Sequence, residues 1–230
     1  MSVQCSDGPG IVHAFSAALL EAHGNIVDNS QYGDPLTSEF CMRTTFESRV
    51  EDLEEIRSVL LPAVLRFDAR FTLRPEHRRQ RALVMVSKYD HCLLDLLYRW
   101  QAGDLPVDLP MVVSNHPDCA ELCERYGVPF LHLPVTADTK SAQEARVLEL
   151  VAEHSIDFVV LARYMQVLSA DFCSRMPGRI INIHHSFLPG FKGARPYQQA
   201  YERGVKMIGA TAHYVTADLD EGPIIDQGVI

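Results

Sequence analysis

The chain has 230 residues, room for one large or two small domains of ~100–200 residues. Hydrophobic residues make up 47% and charged residues 22%, which excludes a disordered or fibrous chain. The formal net charge of -9 points away from a nucleic-acid partner, and no apolar run approaches the ~20 residues that span a bilayer.

The first 75 residues are read as a compact βαββαβ unit. Ser2–Cys5 is a short strand, and Asp7-Gly8-Pro9-Gly10 turns into a helix from Ile11 to His23. Ile11, Val12, Phe15, Ala18, Leu19 and Ala22 recur there at helical spacing. Gly24-Asn25 is the expected helix stop. Strands follow at Ile26–Tyr32 and Glu39–Phe46, the second with Phe40, Met42, Thr44 and Phe46 alternating onto one face. A helix over Val50–Leu61 gathers Leu53, Ile56, Val59 and Leu60, and Phe67, Ala69 and Phe71 alternate in a closing strand. The polar stretch after Pro75 reads as a linker over residues 76–81. Arg66, Arg70, Arg74, Arg78, Arg79 and Arg81 cluster around it; they read as a solvated linker or helix end, with a local phosphate track as the other option.

From residue 82 the period changes. Ala82–Ser87 is a continuous apolar run of the kind found in buried parallel strands. Helices are expected over His91–Gln101, Asp118–Tyr126 and Ala142–His154, and strands at Met111–Ser114, Phe130–Leu133, Phe158–Leu161, Arg179–His184 and Pro223–Ile230. Alternating strands and helices imply an open, mostly parallel sheet covered by helices, with its site at the carboxyl ends of the strands. The chain stops at Ile230 inside an expected strand, so either a C-terminal truncation or a last strand at the sheet edge is expected.

Six cysteines, Cys5, Cys41, Cys92, Cys119, Cys123 and Cys173, form no C-x-x-C pair, and the first residues carry no basic-then-apolar leader. They read as reduced thiols in a cytoplasmic protein. Cysteines and histidines lack the spacing of a zinc site, so no metal is expected.

The chemistry concentrates in Ile180-Ile181-Asn182-Ile183-His184-His185-Ser186-Phe187-Leu188-Pro189. Alternation puts Asn182, His184 and Ser186 on one face of an otherwise apolar strand. Unpaired polar groups in a core cost about 1–3 kcal/mol each, so three in succession suggest a use. An amide donor and an imidazole suit acyl chemistry: the first stabilises an oxyanion, the second moves a proton near neutral pH. Asp218, Asp220 and Glu221, in Thr216-Ala217-Asp218-Leu219-Asp220-Glu221-Gly222-Pro223, are the candidate bases or orienters.

The pattern Asn182-x-His184-x-Ser186-x-Leu188-Pro189, then Gly193, then Asp220-x-Gly222-Pro223-Ile224-Ile225 resembles the formyltransferase family that uses 10-formyltetrahydrofolate. The resemblance implies a Rossmann-like, mostly parallel domain over residues 82–230 with Asn182, His184 and Asp220 as its catalytic set. Leu161-Ala162-Arg163-Tyr164-Met165-Gln166-Val167-Leu168 is similar to the family's folate-binding loop. Backbone groups at Leu161 and Arg163 would then bond the pterin, Met165 and Val167 would wall it, and Val215 and Asp218 would close the other side. On the residues alone, the same stretch also reads as a strand followed by the start of a core-packed helix.

Asp7-x-Pro9-Gly10-Ile11-Val12 with Gly24-Asn25-Ile26 resembles an ACT domain, a ferredoxin-like βαββαβ fold. That likeness implies an amino-acid effector, with contacts sought at Gly10 and Asn25, and a homo-oligomer; turn geometry alone would also account for those two residues. An ACT unit ahead of a formyl-folate domain resembles the arrangement of the family's deformylase branch. The stretch Val86-Ser87-Lys88-Tyr89-Asp90-His91 has no glycine where, on this resemblance, the member that formylates a phosphate-bearing amine carries a Gly-rich phosphate-cradling loop. The implied activity is hydrolysis of 10-formyltetrahydrofolate to formate and tetrahydrofolate, feeding purine biosynthesis. No cofactor is implied beyond the folate substrate. Two other readings stand beside it: a formyltransferase to an amine or tRNA acceptor, and a non-catalytic amino-acid sensor.

Overall fold

The computed structural model describes residues 1–193 and 195–229, and divides into two compact units, Met1–Arg78 and Arg79–Ile230. Ile230, the last residue of the expected terminal strand, lies outside the described residues.

The first unit runs β1 (Ser2–Ser6), α1 (Ile11–Glu21), β2 (Gly24–Asp34), β3 (Glu39–Ser48), α2 (Leu53–Arg66) and β4 (Arg70–Thr72). Its four strands form an antiparallel sheet in the order β2-β3-β1-β4. Val3 and Cys5 of β1 and Phe40 and Met42 of β3 bury one sheet face. They pack with Ile11, Phe15 and Leu19 of α1 and Ile56 and Leu60 of α2 in a single core.

Three boundaries differ from the pattern reading. Helix α1, expected to run to His23, stops at Glu21; His23 takes a positive φ of 53°, and Gly24 already belongs to β2. A Cβ on Gly24 would approach the Leu19 carbonyl oxygen to 2.8 Å, so close packing rather than helix termination requires that glycine. Helix α2 begins later, capped by the Asp52 side chain accepting from Glu54 N–H at 2.9 Å, and continues through Pro62. An interior proline costs about 3 kcal/mol. Here Leu60 and Ala63 on either side of it are buried in the core, which offsets that cost.

The second unit runs β5 (Gln80–Val86), α3 (His91–Ala102), β6 (Val107–Ser114), α4 (Ala120–Arg125), β7 (Phe130–His132), α5 (Lys140–Glu153), β8 (Phe158–Ala162), α6 (Ala170–Arg175), β9 (Ile180–His184), α7 (Pro196–Glu202), β10 (Gly209–Tyr214) and β11 (Ile224–Val229). The sheet order is β11-β10-β9-β8-β5-β6-β7. Strands β9 through β7 in that order pair in parallel; β10 and β11 are antiparallel additions. Strand β5 shows why the run is apolar throughout. Leu83 and Met85 face a core shared with α5 and α6, while Ala82, Val84 and Val86 face one shared with α3 and α4. The strand opens at Gln80, so Gln80 and Arg81, expected in the linker, are sheet residues. Arg81 is held there by its N–H to Asp157 Oδ2 at 2.8 Å and its Nε–H to the His154 carbonyl at 2.7 Å.

Elements α6, α7 and β10 have no counterpart in the pattern reading. From β5 the chain passes to β6 and β7 on one side and later to β8 and β9 on the other. That switch point opens a crevice beyond the carboxyl ends of the strands. Among the described residues no helix is long and apolar enough to cross a membrane.

Phe172 of α6 is fully buried in the second unit's core. We expect Phe172→Ala to lower that unit's stability by about 3–5 kcal/mol, read as a shift of the urea midpoint. A shift worth under about 1 kcal/mol would mean that α6 is not part of the cooperative core.

Candidate active site

Strand β9 lies between β8 and β10, with Asn182 beside Leu161 on one side and His213 on the other. His184 is paired with Thr211. Residues directly opposite in an antiparallel ladder share a face, so Asn182 and His213 meet. Asn182 Nδ2 lies 3.1 Å from His213 Nε2. His213 Nδ1 is 3.0 Å from the Tyr214 carbonyl, which can only accept, so Nδ1 carries the proton. Burial pushes the His213 pKa down, outweighing the Tyr214 carbonyl and Asp220, and favours the neutral ring. Its Nε2 therefore accepts from the Asn182 amide and fixes which way that amide points.

The β10–β11 turn returns Asp220 beneath the pair. Asp220 adopts φ 57°, and a Cβ on Gly222 would collide with the Tyr214 carbonyl oxygen, so only glycine lets the turn close. His184 and Asp220 are both buried, with side chains 5% and 6% exposed, and His184 Nδ1 lies 3.4 Å from Asp220 Oδ2. The same oxygen accepts the Gly193 N–H at 2.9 Å, and Asp220 Oδ1 is 3.8 Å from His213 Nε2. His184 Nε2–H donates to the Phe191 carbonyl at 2.7 Å.

Residues 163–168 form an irregular loop, not the start of a helix. Arg163 takes φ 62°, its carbonyl accepts from Ser87 N–H at 3.3 Å, and Met165 N–H donates to Ser87 Oγ at 2.9 Å. Ser87 Oγ in turn donates to Asn115 Oδ1 at 2.7 Å. Tyr164 OH accepts from Gln143 at 3.2 Å, and burial pushes the phenol up to about 12. The loop is thus pinned to the ends of β5 and β6 and to α5.

Together these segments enclose a cleft of about 260 Å³. Asn182, His184, Asp220, Leu161, Arg163, Met165, Val167, Val215 and Asp218 all line it. Ser186, expected on the same face, is buried outside that lining, and its Oγ has no hydrogen-bond partner among the described residues. The strand ends at His184, so the alternation no longer governs it. His213 and His185 also line the cleft and were not singled out from the sequence. A histidine in the alternating stretch Thr211-Ala212-His213-Tyr214 was the available signal for the first.

Gly10 and Asn25 lie in the other unit. Gly10 caps α1 with φ 91°, which explains the glycine on backbone grounds, and Asn25 is an exposed residue of β2 paired with Glu47. Among the described residues no group of three or more His, Cys, Asp or Glu is placed to hold a metal ion. The six cysteines are free thiols.

Residues 80–230 match the family model described as formyl transferase. A formyltetrahydrofolate deformylase of Corynebacterium sp. (strain P-1) is 48% identical over 100% of this chain and 81% of its own length. One of Bacillus subtilis (strain 168) is 46% identical over 99% of this chain and 77% of its own. The crystal structure of formyltetrahydrofolate deformylase from Burkholderia mallei superposes with a TM-score of 0.93 at 46% identity, covering 100% of this chain and 82% of that one. The chain belongs to the formyl transferase family and, within it, to the formyltetrahydrofolate deformylases.

The site also carries a pH signature. Burial first, then the Arg163 charge, lowers His185 from 6.5 to about 4. As pH falls, the unfolded chain takes up this proton before the folded one, so stability drops between about pH 6.5 and 4 and the contribution levels off below. His185→Gln should flatten that part of the melting-temperature profile. A variant that tracks the wild type across the range would remove His185 as the cause.

Proposed function

We propose that this chain hydrolyses 10-formyltetrahydrofolate to formate and tetrahydrofolate, as the names of its full-length relatives indicate for them. The observation that carries the reading is the buried Asn182–His184–Asp220 group facing one cleft, together with that full-length similarity. The pterin lies against the loop 163–168, with backbone groups at Leu161 and Arg163 as its partners. Met165 and Val167, exposed in this structure, form the apolar wall. Val215 and Asp218 close the opposite side.

Water attacks the formyl carbon. The Asn182 amide, oriented by His213, donates its free N–H to the oxyanion. His184 Nε2–H is directed at the Phe191 carbonyl, so His184 acts from Nδ1, on the Asp220 side. The proton lost by the attacking water passes to the His184–Asp220 pair and then to the folate nitrogen as the C–N bond breaks. Formate and tetrahydrofolate leave, and no redox step is involved.

The βαββαβ unit is read as an ACT-type regulatory domain that binds an amino-acid effector near Gly10 and Asn25 and pairs between copies of the chain. Free thiols throughout suit a cytoplasmic enzyme that returns formate to purine synthesis. The residues at the end of β5 favour water over a phosphate-bearing amine acceptor. Ser87 is spent on the loop through Met165 and on Asn115, and no glycine-rich cradle is present there.

The test is incubation with 10-formyltetrahydrofolate and no acceptor, with formate and tetrahydrofolate assayed together. Equimolar release of both is expected. Asp220→Asn should lower turnover by about 10²-fold or more with folate binding retained. Asn182→Ala should cost about 10²–10³. Release of neither product while folate still binds would overturn the hydrolytic reading; a near-wild-type rate in Asp220→Asn would remove Asp220 from the mechanism.

A further inference from the structure

The mechanism leaves one cation of the cleft unused. Arg163 lines the cleft, yet its guanidinium is in no ion pair among the described residues. Its Nη1–H donates to His185 Nδ1 at 2.8 Å, a neutral partner, because a guanidinium can only donate. Its Nε is buried without a hydrogen-bond partner among the described residues. The Tyr89 ring lies 5.7 Å from the guanidinium carbon and supports it from another side. With Nδ1 accepting, the proton of His185 sits on Nε2, which makes a second N–H donor on a residue that lines the same cleft. The His185 ring centroid is 5.6 Å from that of His184, so the pair stands beside the proposed reacting group. Arg163, His184 and His91 all oppose a charge on His185, with Asp220 the one carboxylate acting the other way. Asp220 is already engaged by Gly193 and His184.

A planar guanidinium without a counter-ion, beside a second N–H donor, matches a carboxylate, which it can grip with two parallel hydrogen bonds. We infer that the side chains of Arg163 and His185 form a carboxylate-binding subsite of the cleft. Two carboxylates fit that chemistry: the formate product, which is born next to His184, and the glutamyl carboxylates of the folate. Only the identity of the carboxylate rests on the hydrolytic reading; the subsite itself rests on the geometry.

The experiment uses the full chain without folate, titrated with sodium formate against sodium chloride at matched ionic strength and followed by melting temperature and by calorimetry. Formate is expected to raise the melting temperature of the wild type. Arg163→Gln should weaken formate binding about ten-fold or more, and Arg163→Lys, which keeps the charge and loses the fork, should fall between. Each variant's melting temperature without formate shows that it is folded. In turnover, product inhibition by formate should weaken in parallel. The folate arm compares KM for 10-formyltetrahydrofolate with KM for its analogue lacking the glutamate. A rise in KM with Arg163→Gln confined to the glutamate-bearing substrate, without any change in formate response, assigns the subsite to the folate tail. Equal formate responses in wild type and Arg163→Gln, with KM unchanged for both substrates, would overturn the subsite.

Discussion

The site depends on the register between β9 and β10. Asn182 is placed opposite His213 and His184 opposite Thr211, and the Asn182–His213 hydrogen bond of 3.1 Å joins the two strands at the cleft. A slip of one residue would turn Asn182 and His184 to the other face and replace them with Ile181 and Ile183. The register is held from both sides: β8 fixes β9 through Leu161 opposite Asn182, and β11 fixes β10 through its own antiparallel ladder. Asp220 reaches His184 only because the turn closes over Gly222, where a side chain would meet the Tyr214 carbonyl.

The parallel part of the sheet supplies the rigidity. Strands β5 and β8 are buried on both faces, so their side chains are committed to packing and their carboxyl ends carry the polar work. At one such end Ser87 ties the loop 163–168 to Asn115, and so sets one wall of the cleft without touching its interior. The cleft then has two electrical sides. Asp220, buried and bonded to Gly193, lies with His184 and His213; Arg163 lies with His185, whose proton is held off to about 4. Separating one anion from one cation in this way suits a reaction that turns a neutral formyl group into a carboxylate.

Much of this was legible in the sequence because it rests on local patterns. Period-two alternation in residues 180–184 placed Asn182 and His184 on one face, and the acidic turn at 218–221 stood out between two apolar stretches. The Ala82–Ser87 run read as a buried strand for the reason the structure shows, a core on each side. Where local signals competed with packing, packing won. The helix expected to stop at Leu61 runs on through Pro62, because the buried neighbours Leu60 and Ala63 hold α2 in the core. Gly24 looked like a helix stop, but it serves the contact with Leu19. Ser186 continued the alternation in the sequence and left it in space, because the strand had ended.

The sequence by itself determined the layout of two α/β units, the polar face of β9 and the residues of the acidic turn. Those follow from hydrophobic period and turn chemistry, which act over a few neighbouring residues. Only the tertiary structure decided that His213 orients Asn182, that His184 spends Nε2 on Phe191, that Ser87 pins a loop 78 residues away and that Arg163 has no ion pair among the described residues. Each of these is a contact between segments distant in the chain, set by sheet order and register, and no short-range pattern encodes such a pairing.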